Sequence, residues 1–496
     1  MAEPLHIFIF CSTTVPNKFA HPIQILKTVR ALASRPGVRV TLYFVTLTAK
    51  RWRIWKYYGL EPMDNVEIKG MVPRWYYRLR RMNNNISLRH YNIYRLVRRR
   101  VGRELEAAAR QAKTIIYTRN ENVVELLHPI AAEAGIPIYL ELHWLKYVDR
   151  FRKFIESRKD AEQPPPPLSE CKAFLRGKKT AEEEVLRKTD GILCLTGQIR
   201  KVLEQWDVGV PLGCLPSGVD FVETRQWAAQ AAQHAESESD EWENETMDDD
   251  GEDDDFSNDD DNRLQPDRAR DRTPLTMQRP ATGDDEAPSS SLSGPNGPDA
   301  NGAITPPQAI DVLYVGQLYP WKGVDLLIHA MALIEPYRLT IVGGNRSKDK
   351  QRIRDLIGDY DMSERVRMVG HVNHPKVRRY IRKARVCVIP LPRRGFREAR
   401  IFTSPMKLFE FAAFGKPIVA SDLPTLREVL EHGRNAWLTE PDNPQALAQG
   451  LRTLLEDDAL SERLAAGALE LAEQHDYAHR ARRILEFCGV AENARS

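Results

Sequence analysis

The chain has 496 residues, of which 42% are hydrophobic, and its formal net charge is +3. This length predicts two or three domains, and the absence of any run of 18 apolar residues argues against a transmembrane helix. The six cysteines form no Cys-x-x-Cys pair, which argues against a zinc site and a disulfide framework and favours a reducing cytoplasm.

The charge is unevenly distributed along the chain. Residues 236–262 contain 16 acidic side chains and neither Lys nor Arg, so the net charge of +3 becomes +19 when these 16 are set aside. A body this basic suits a polyanionic partner, such as a nucleotide diphosphate, an anionic acceptor or a membrane surface.

The N-terminal part of the sequence predicts a parallel α/β domain, which we place at residues 1–222. Continuous apolar runs alternate with stretches of helical periodicity, as in a sheet that is covered on both faces. The first run begins near the N-terminus, where no basic segment or cleavage site indicates a signal peptide. The predicted strands are residues 5–11, 38–46, 114–117, 136–142 and 191–196, and the predicted helices are residues 22–34 and a stretch from residue 197.

One segment of this domain, residues 50–113, is both basic and aromatic. Arginine and lysine side chains interleaved with tryptophan and tyrosine suit a membrane interface, where the charged groups meet lipid headgroups and the rings enter the apolar layer. A nucleic-acid surface has a similar composition, although we expect no nucleic-acid partner, and a solvated charged helix is the simpler alternative.

Residues 223–308 interrupt the α/β pattern. They are first acidic and then rich in Pro, Ser, Gly and Asp, so they cannot bury enough apolar surface to offset the entropy cost of ordering. We predict a disordered insertion, with a short helix at residues 224–234 where it begins.

A second α/β pattern follows, which predicts another domain at residues 309–475. Its predicted strands are residues 312–315, 339–342, 366–369, 386–389 and 417–420, and its predicted helices are residues 324–334, 350–358, 374–383, 406–414, 445–457 and 461–475. Two such domains place a ligand in the cleft between them, beyond the carboxyl ends of the strands.

Two segments of the second domain could bind an anion. In the first, a strand ends at Val315, Gly316 permits a tight turn, and Lys322 stands just before a helix. Glycine lets the backbone approach a phosphate, and a lysine beside a helix N-terminus favours negative charge. A solvated strand-to-helix loop is the alternative interpretation.

The second segment begins at Ser404. Ser404 is a good N-cap residue and Pro405 suits a first helical turn, so the free amides of that turn could contact a diphosphate. Glu410 lies on the same helix, where its carboxylate could accept two ribose hydroxyl hydrogen bonds. An ordinary capped helix with a surface glutamate explains fewer of these features.

These two segments, in this order and about 80 residues apart, resemble the retaining glycosyltransferases of family 4, which have the GT-B fold. The resemblance is specific from residue 310 to about residue 429. In the first domain it is looser and rests on the strand pattern, on Glu141 and His143, and on residues 216–220. It implies two Rossmann-like domains facing a central cleft, with the acceptor on the first, the nucleotide sugar on the second, and residues 476–496 returning as a helix to the first.

The resemblance also implies roles for particular residues. Lys322 matches the lysine that contacts the donor diphosphate, Glu410 the glutamate that holds the ribose, and His143 a histidine near the transferred sugar. These three are the expected catalytic residues, although His143 could also be a structural histidine at a strand end. The implied donor-binding residues are Gly316, Gln317, Lys322, Gly343, Gly344, Gly370, His371, Val372, Ser404, Pro405, Met406, Lys407 and Glu410.

The sequence departs from the family at three places. Phe402 stands where the first glutamate of the E-x7-E motif is expected, and Glu398 is out of register with it. Gln317 stands where an arginine is usual, which removes one positive charge from the diphosphate site. Arg393, Arg394, Arg397 or Arg400 could supply that charge instead. The glycine-rich loop after the first strand is absent, and Asn17, Lys18 and His21 of the loop found there are the predicted acceptor contacts.

The resulting expectation is a glycosyltransferase that moves a sugar with retention from a UDP- or GDP-sugar to a glycan or lipid-linked acceptor, in the synthesis of envelope polysaccharide or glycolipid. Lys322 and helix amides would stabilise the leaving diphosphate. We expect no metal requirement. We also expect a cytoplasmic protein, which could bind peripherally to the inner face of the membrane. The alternatives are a non-catalytic sugar-nucleotide-binding or membrane scaffold protein, and an epimerase or phosphorylase of the same fold.

Overall fold

A computed structural model shows the fold of the chain. It describes residues 4–11, 13–17, 20–45, 47, 49–72, 93–148, 150–151, 154, 158, 166–233, 310–372, 374–393, 402 and 404–490. Most of the predicted disordered insertion, from residue 234 onward, lies outside these residues. So do Lys18, Glu398, Arg394, Arg397 and Arg400.

Within the described residues, seven parallel strands form a first sheet in the order β3-β2-β1-β4-β5-β6-β7. Its strands are β1 (Leu5–Phe10), β2 (Val38–Phe44), β3 (Val66–Gly70), β4 (Lys113–Thr118), β5 (Ile138–Leu142), β6 (Gly191–Cys194) and β7 (Leu212–Cys214). All five predicted strands are present, whereas the outermost strands β3 and β7 were not predicted.

A second parallel sheet has the order β10-β9-β8-β11-β12-β13. Its strands are β8 (Ile310–Val315), β9 (Leu339–Val342), β10 (Val366–Gly370), β11 (Ala384–Ile389), β12 (Ile418–Ser421) and β13 (Trp437–Thr439). The prediction of two α/β domains with parallel sheets is therefore confirmed.

Helices connect the strands and cover both faces of each sheet. In the first half they are α1 (Ala20–Ala33), α2 (Arg51–Tyr57), α3 (Ile93–Ala109), α4 (Glu121–Ala134), α5 (Leu168–Leu186), α6 (Gly197–Trp206) and α7 (Phe221–Gln233). In the second half they are α8 (Val324–Ala332), α9 (Ser347–Asp359), α10 (His374–Lys383), α11 (Met406–Ala413), α12 (Pro444–Glu456), α13 (Asp458–Gln474) and α14 (Tyr477–Phe487). None of the described helices is long and apolar enough to cross a bilayer.

Strand β1 shows why its sequence folds as a buried strand. Side chains alternate between the two faces of a strand, so Phe8 and Phe10 enter one hydrophobic cluster while Ile7 and Ile9 enter the other. All four are at most 3% exposed. Burying such a side chain stabilises the fold by roughly 1.5–3 kcal/mol, which explains the continuous apolar run.

Helix α7 lies where the predicted insertion begins. Residues 223–233, which we placed in the insertion, are helical and pack on the second domain, where the rings of Trp227 and Phe414 are 5.8 Å apart between centroids. Glu223 pairs with Arg378 at 2.7 Å. The short helix predicted at residues 224–234 is thus present, and it begins three residues earlier.

The last described helix, α14, returns from the second domain to the first. Its residues Ala481, Ile484 and Leu485 are buried in the same cluster as the first-domain strand β1. Arg35 also donates a hydrogen bond to the carbonyl of Ala478 at 3.0 Å. The chain therefore crosses between the domains twice.

Candidate functional site

The two domains meet where strands end. Ser217 follows β7 of the first sheet, and its backbone amide donates to the Ser404 hydroxyl at 3.1 Å. The Ser217 hydroxyl in turn donates to the Ser404 carbonyl at 3.0 Å. Because Ser404 lies two residues before α11, this reciprocal pair ties the predicted diphosphate loop to the first domain.

Glu428 makes a second contact between the domains. Its carboxylate oxygens accept hydrogen bonds from the backbone amides of Gly197 at 2.7 Å and Gln198 at 3.0 Å, at the start of α6. A carboxylate at a helix N-terminus satisfies amides that have no partner within the helix and interacts favourably with the helix dipole. This residue carried no signal in the sequence.

Phe402 makes a third contact. Its ring is 5% exposed and lies 4.2 Å from that of Trp144 between centroids, in the hydrophobic cluster of the first domain. Where the resemblance leads one to expect a glutamate, the chain therefore inserts an aromatic side chain between its two halves. Of the arginines considered as replacements at the donor site, Arg393 is described, and its backbone amide donates a hydrogen bond to Asp442 at 3.0 Å.

Glycines line the carboxyl edge of the second sheet. Gly316, Gly343 and Gly370 end or follow the adjacent strands β8, β9 and β10, and the Gly343 amide donates to the Gly370 carbonyl at 2.6 Å. A Cβ atom on Gly343 would lie 2.2 Å from the Gly316 carbonyl oxygen, and its φ of 124° is rarely adopted by other residues. The loop after β9 therefore packs closely on the loop after β8 only because Gly343 lacks a side chain.

Lys322 stands at the same edge. It ends a 3-10 turn (Pro320–Lys322), and the following Gly323 packs so tightly on Pro390 that a Cβ atom would lie 1.7 Å from the Pro390 carbonyl oxygen. Burial lowers the pKa of the Lys322 ammonium. No side chain in the described part of the chain pairs with this ammonium, which makes it an available partner for an anion.

Other predicted donor contacts lie nearby along the chain. The Gln317 side-chain oxygen is buried and has no hydrogen-bond partner among the described residues. A Cβ atom on Gly344 would meet the Leu318 side chain at 2.5 Å, so this turn is also closely packed. His371 and Val372 follow the end of β10, and His371 is exposed.

Helix α11 differs in one respect from its prediction. The N-cap position is Pro405 rather than Ser404, since the Ser404 hydroxyl is taken up by Ser217. Met406 and Lys407 are the first two residues of the helix, so their backbone N–H groups have no intrahelical acceptor. Glu410 lies one turn on and forms an ion pair with Lys407 at 2.6 Å.

His143 lies at the end of β5 and bonds a buried carboxylate. Its Nε2 atom is 2.6 Å from Glu141 Oε1, and Glu141 is fully buried while the His143 side chain is 26% exposed. The hydroxyl of Tyr117 donates to the other oxygen of Glu141. The Nε2 edge of the imidazole is therefore fixed by Glu141, while the side chain as a whole is partly exposed.

Two arginines neutralise Glu141. Arg119 and Arg480 approach its Oε1 atom at 2.8 Å and 2.5 Å, and both guanidinium groups are almost fully buried. Burial alone would raise the pKa of Glu141, but these two cations outweigh it and hold the pKa well below its usual range. Glu141 is therefore ionised and can only accept hydrogen bonds.

This ionisation fixes the state of His143. Because Glu141 only accepts, the Nε2 atom of His143 must carry a proton. Burial and then the field of Arg119 lower the pKa of His143, so the imidazole is neutral near pH 7. Its Nδ1 atom thus presents a lone pair. This lone pair can accept a hydrogen bond.

The predicted acceptor contacts have different surroundings. His21 lies beside His143, with ring centroids 6.4 Å apart. Burial, with the fields of Arg119 and His143, lowers the pKa of His21 to about 3, and its Nε2 atom has no partner among the described residues. The side-chain amide of Asn17 instead bonds within its own loop, to Thr13 at 2.9 Å and to the Thr14 carbonyl at 2.7 Å.

Comparison with known proteins identifies the second domain. Residues 309–457 match the family model of the glycosyl transferases group 1. A D-inositol 3-phosphate glycosyltransferase of Jonesia denitrificans is 28% identical over 184 residues, which are 35% of this chain and 42% of that protein. A phosphatidyl-myo-inositol mannosyltransferase of Mycobacterium leprae is 30% identical over 196 residues, which are 37% and 49% of the two chains. The match thus spans less than half the length of these curated relatives.

Solved structures match over nearly the whole chain. Alr3699/HepE of Anabaena, in complex with UDP and glucose, superposes with a TM-score of 0.57 at 14% identity and covers 98% of this chain and 99% of its own. The sucrose-phosphate synthase of Thermosynechococcus elongatus has a TM-score of 0.57 at 16% identity, with 98% of both chains covered. The chain therefore has the GT-B fold, and its residues 309–457 carry a domain of the glycosyl transferases group 1.

Proposed function

We propose that the chain transfers a sugar, with retention, from a nucleotide diphosphate sugar to a glycan or lipid-linked acceptor. The observation that carries this proposal is the position of Lys322, an unpaired and half-buried ammonium among the described residues, beside close-packed glycines at the strand ends of the matched domain. Such a site favours a diphosphate whose negative charge grows as it leaves.

The donor would lie along the carboxyl edge of the second sheet. Lys322 and the first amides of α11 would bind the diphosphate, while Glu410 would accept hydrogen bonds from the ribose hydroxyls. Gly370 and His371 would border the nucleobase. The ion pair of Glu410 with Lys407 supports this arrangement, because it holds the Glu410 carboxylate in place near the N-terminal end of α11.

The sugar would lie between this edge and His143. A neutral imidazole with a free Nδ1 lone pair can accept a hydrogen bond from a sugar hydroxyl, and it adds no positive charge to a site that already holds two arginines. Retention would follow from attack on the face that the diphosphate leaves. The leaving group itself would then be held by Lys322.

The names of similar proteins indicate which compounds to test first. The matched HepE structures contain UDP, UDP-glucose or UDP with glucose, so a UDP-sugar is the first donor to try, followed by a GDP-sugar. The two curated relatives are named for inositol-containing acceptors, and one of these acceptors is a lipid.

Helix α2 supports a lipid-linked acceptor. Trp52 and Tyr57 are 55% and 50% exposed, and Arg53 stacks over Trp52 at 5.2 Å. Exposed aromatic rings beside cations suit the headgroup region of an anionic membrane. Cosedimentation with phosphatidylglycerol vesicles should fall on Trp52→Ser, and equal binding by the variant would remove this support.

The decisive experiment compares Glu410→Ala with Glu462→Ala. Purified protein is given radiolabelled UDP- and GDP-sugars with inositol-bearing acceptors, and the anomeric configuration of the product is read by NMR. Glu410→Ala should lose most transfer with an unchanged melting temperature, whereas Glu462, an exposed residue of α13, should be dispensable. Equal rates in the two variants would refute the role of Glu410.

A non-catalytic nucleotide-sugar-binding protein is the second candidate. Phe402 favours it, because this position offers a buried ring rather than a carboxylate to the donor. Donor binding without transfer or donor hydrolysis, across the same panel of sugars and acceptors, would establish this alternative.

A further inference from the structure

Arg480 of α14 reaches from the end of the second domain into the first. It is 3% exposed, and its guanidinium lies 2.5 Å from Glu141 Oε1. Its Nε atom also donates to the carbonyl of Pro216 at 3.2 Å. A cation this deeply buried is held by opposite charge and by carbonyl oxygens, so its position in the first domain is specified rather than incidental.

Three donors converge on a single oxygen atom. Arg119, Arg480 and His143 all lie within 2.8 Å of Glu141 Oε1, while Tyr117 occupies Oε2. Each donor therefore limits where the others can lie. If Arg480 were removed, Oε1 would be shared by only two donors, and the carboxylate could rotate.

Three charged groups act on His143, and each comes from a different part of the fold. Arg119 follows β4, Glu141 is the penultimate residue of β5 and Arg480 belongs to α14, while Tyr117 and His21 are neutral neighbours. Two guanidinium groups against one carboxylate leave an excess positive charge, which opposes protonation of the imidazole. Without Arg480 the two remaining charges would balance, and His143 would accept a proton more readily.

We propose that Arg480 is a positioning residue for His143: through Glu141 it fixes the imidazole with Nε2–H directed inward, and it keeps Nδ1 available to accept a hydrogen bond from a substrate hydroxyl. The link to substrate rests on the proposed transferase function. The link between Arg480 and His143 does not, so the two can be tested apart.

The test uses the full-length chain with histidine labelled by carbon-13 and nitrogen-15. The His143 signal is assigned by its loss in His143→Gln and is then titrated by NMR. Arg480→Met should raise the midpoint, as expected for loss of a neighbouring cation, and Arg480→Lys should keep the midpoint close to its wild-type value. If Arg480→Met does not fold, Arg480→Gln keeps a polar side chain and serves instead.

Arg483→Met is the matched control. Arg483 lies on the same helix and also donates to a first-domain carbonyl, that of Cys214 at 2.6 Å, but it has no contact with Glu141. The His143 midpoint should be unchanged in this variant. Equal shifts in both variants would show that helix docking, rather than the Arg480 charge, is responsible, and no shift in either would also overturn the proposal.

Enzyme assays separate this inference from the proposed function. If the chain transfers sugar, the acid limb of the kcat/KM profile should move to higher pH in Arg480→Met, because a larger share of His143 is then protonated. If no transfer is found but the NMR midpoint still moves, the positioning role stands and the transferase proposal fails.

Discussion

Replacing Phe402 with alanine should loosen the contact between the two domains. The ring is 5% exposed and packs on Trp144 among the buried side chains Leu142 and Leu145. Removing a buried phenylalanine costs about 3–5 kcal/mol, and the aromatic pair contributes roughly 0.5–1.5 kcal/mol beyond the area it buries. Because Phe402 belongs to the second half of the chain, we expect this loss to appear first as separation of the domains.

Small-angle scattering and thermal melting measure this effect. For a domain of 150–250 residues, each kcal/mol lowers Tm by roughly 2–4 °C, so Phe402→Ala should melt several degrees lower and have a larger radius of gyration. Phe402→Leu should lose less, since leucine keeps an apolar side chain in the cluster. Phe402→Glu should be at least as unstable as the alanine variant, because it buries a carboxylate among apolar groups. An unchanged Tm and radius of gyration in Phe402→Ala would refute the reasoning.

Two further predictions concern the donor edge. Lys322→Ala should weaken binding of UDP by about 10- to 100-fold, the loss of a charge-assisted contact of roughly 1.5–3 kcal/mol, as measured by calorimetry. The exposed Lys348 is the control, and equal affinities in Lys322→Ala and Lys348→Ala would contradict the site. Gly343→Ala should lower the denaturant midpoint more than Gly370→Ala does, because a Cβ atom would clash with the Gly316 carbonyl at 2.2 Å in the first case and meets nothing within 4 Å in the second. Gly370→Ala should cost only about 1–2 kcal/mol, for its left-handed backbone.

The fold could be predicted well where strands are central and apolar. β1 and β4 are covered on both faces, so residues 7–10 and 115–117 within them form continuous hydrophobic runs. The edge strands β3 and β7 are short and only half-buried, and they gave no such signal. Helix α7 directly precedes the acidic segment in the sequence, and its packing on the second domain could not be inferred from local composition.

The candidate site was predictable only where its residues lie within one segment. Gly316 and Lys322 form one loop, and the helix that carries Glu410 is visible from its local sequence. The arginines around Glu141 come from segments more than 300 residues apart, so no spacing could reveal them. The same holds for the Ser404 hydroxyl. Local sequence preference predicts that it caps the following helix, but in the structure it accepts a hydrogen bond from the distant backbone amide of Ser217.

The return of α14 to the first domain bears on the order in which the chain can fold during synthesis. Ile7 and Ile9 leave the ribosome early, whereas Ile484 and Leu485, which complete their cluster, follow more than 470 residues later. Domains generally fold as units, the N-terminal one first, and exposed apolar surface favours aggregation or chaperone binding. The first domain therefore keeps part of its core open until translation has passed residue 485, and its completion coincides with that of the second.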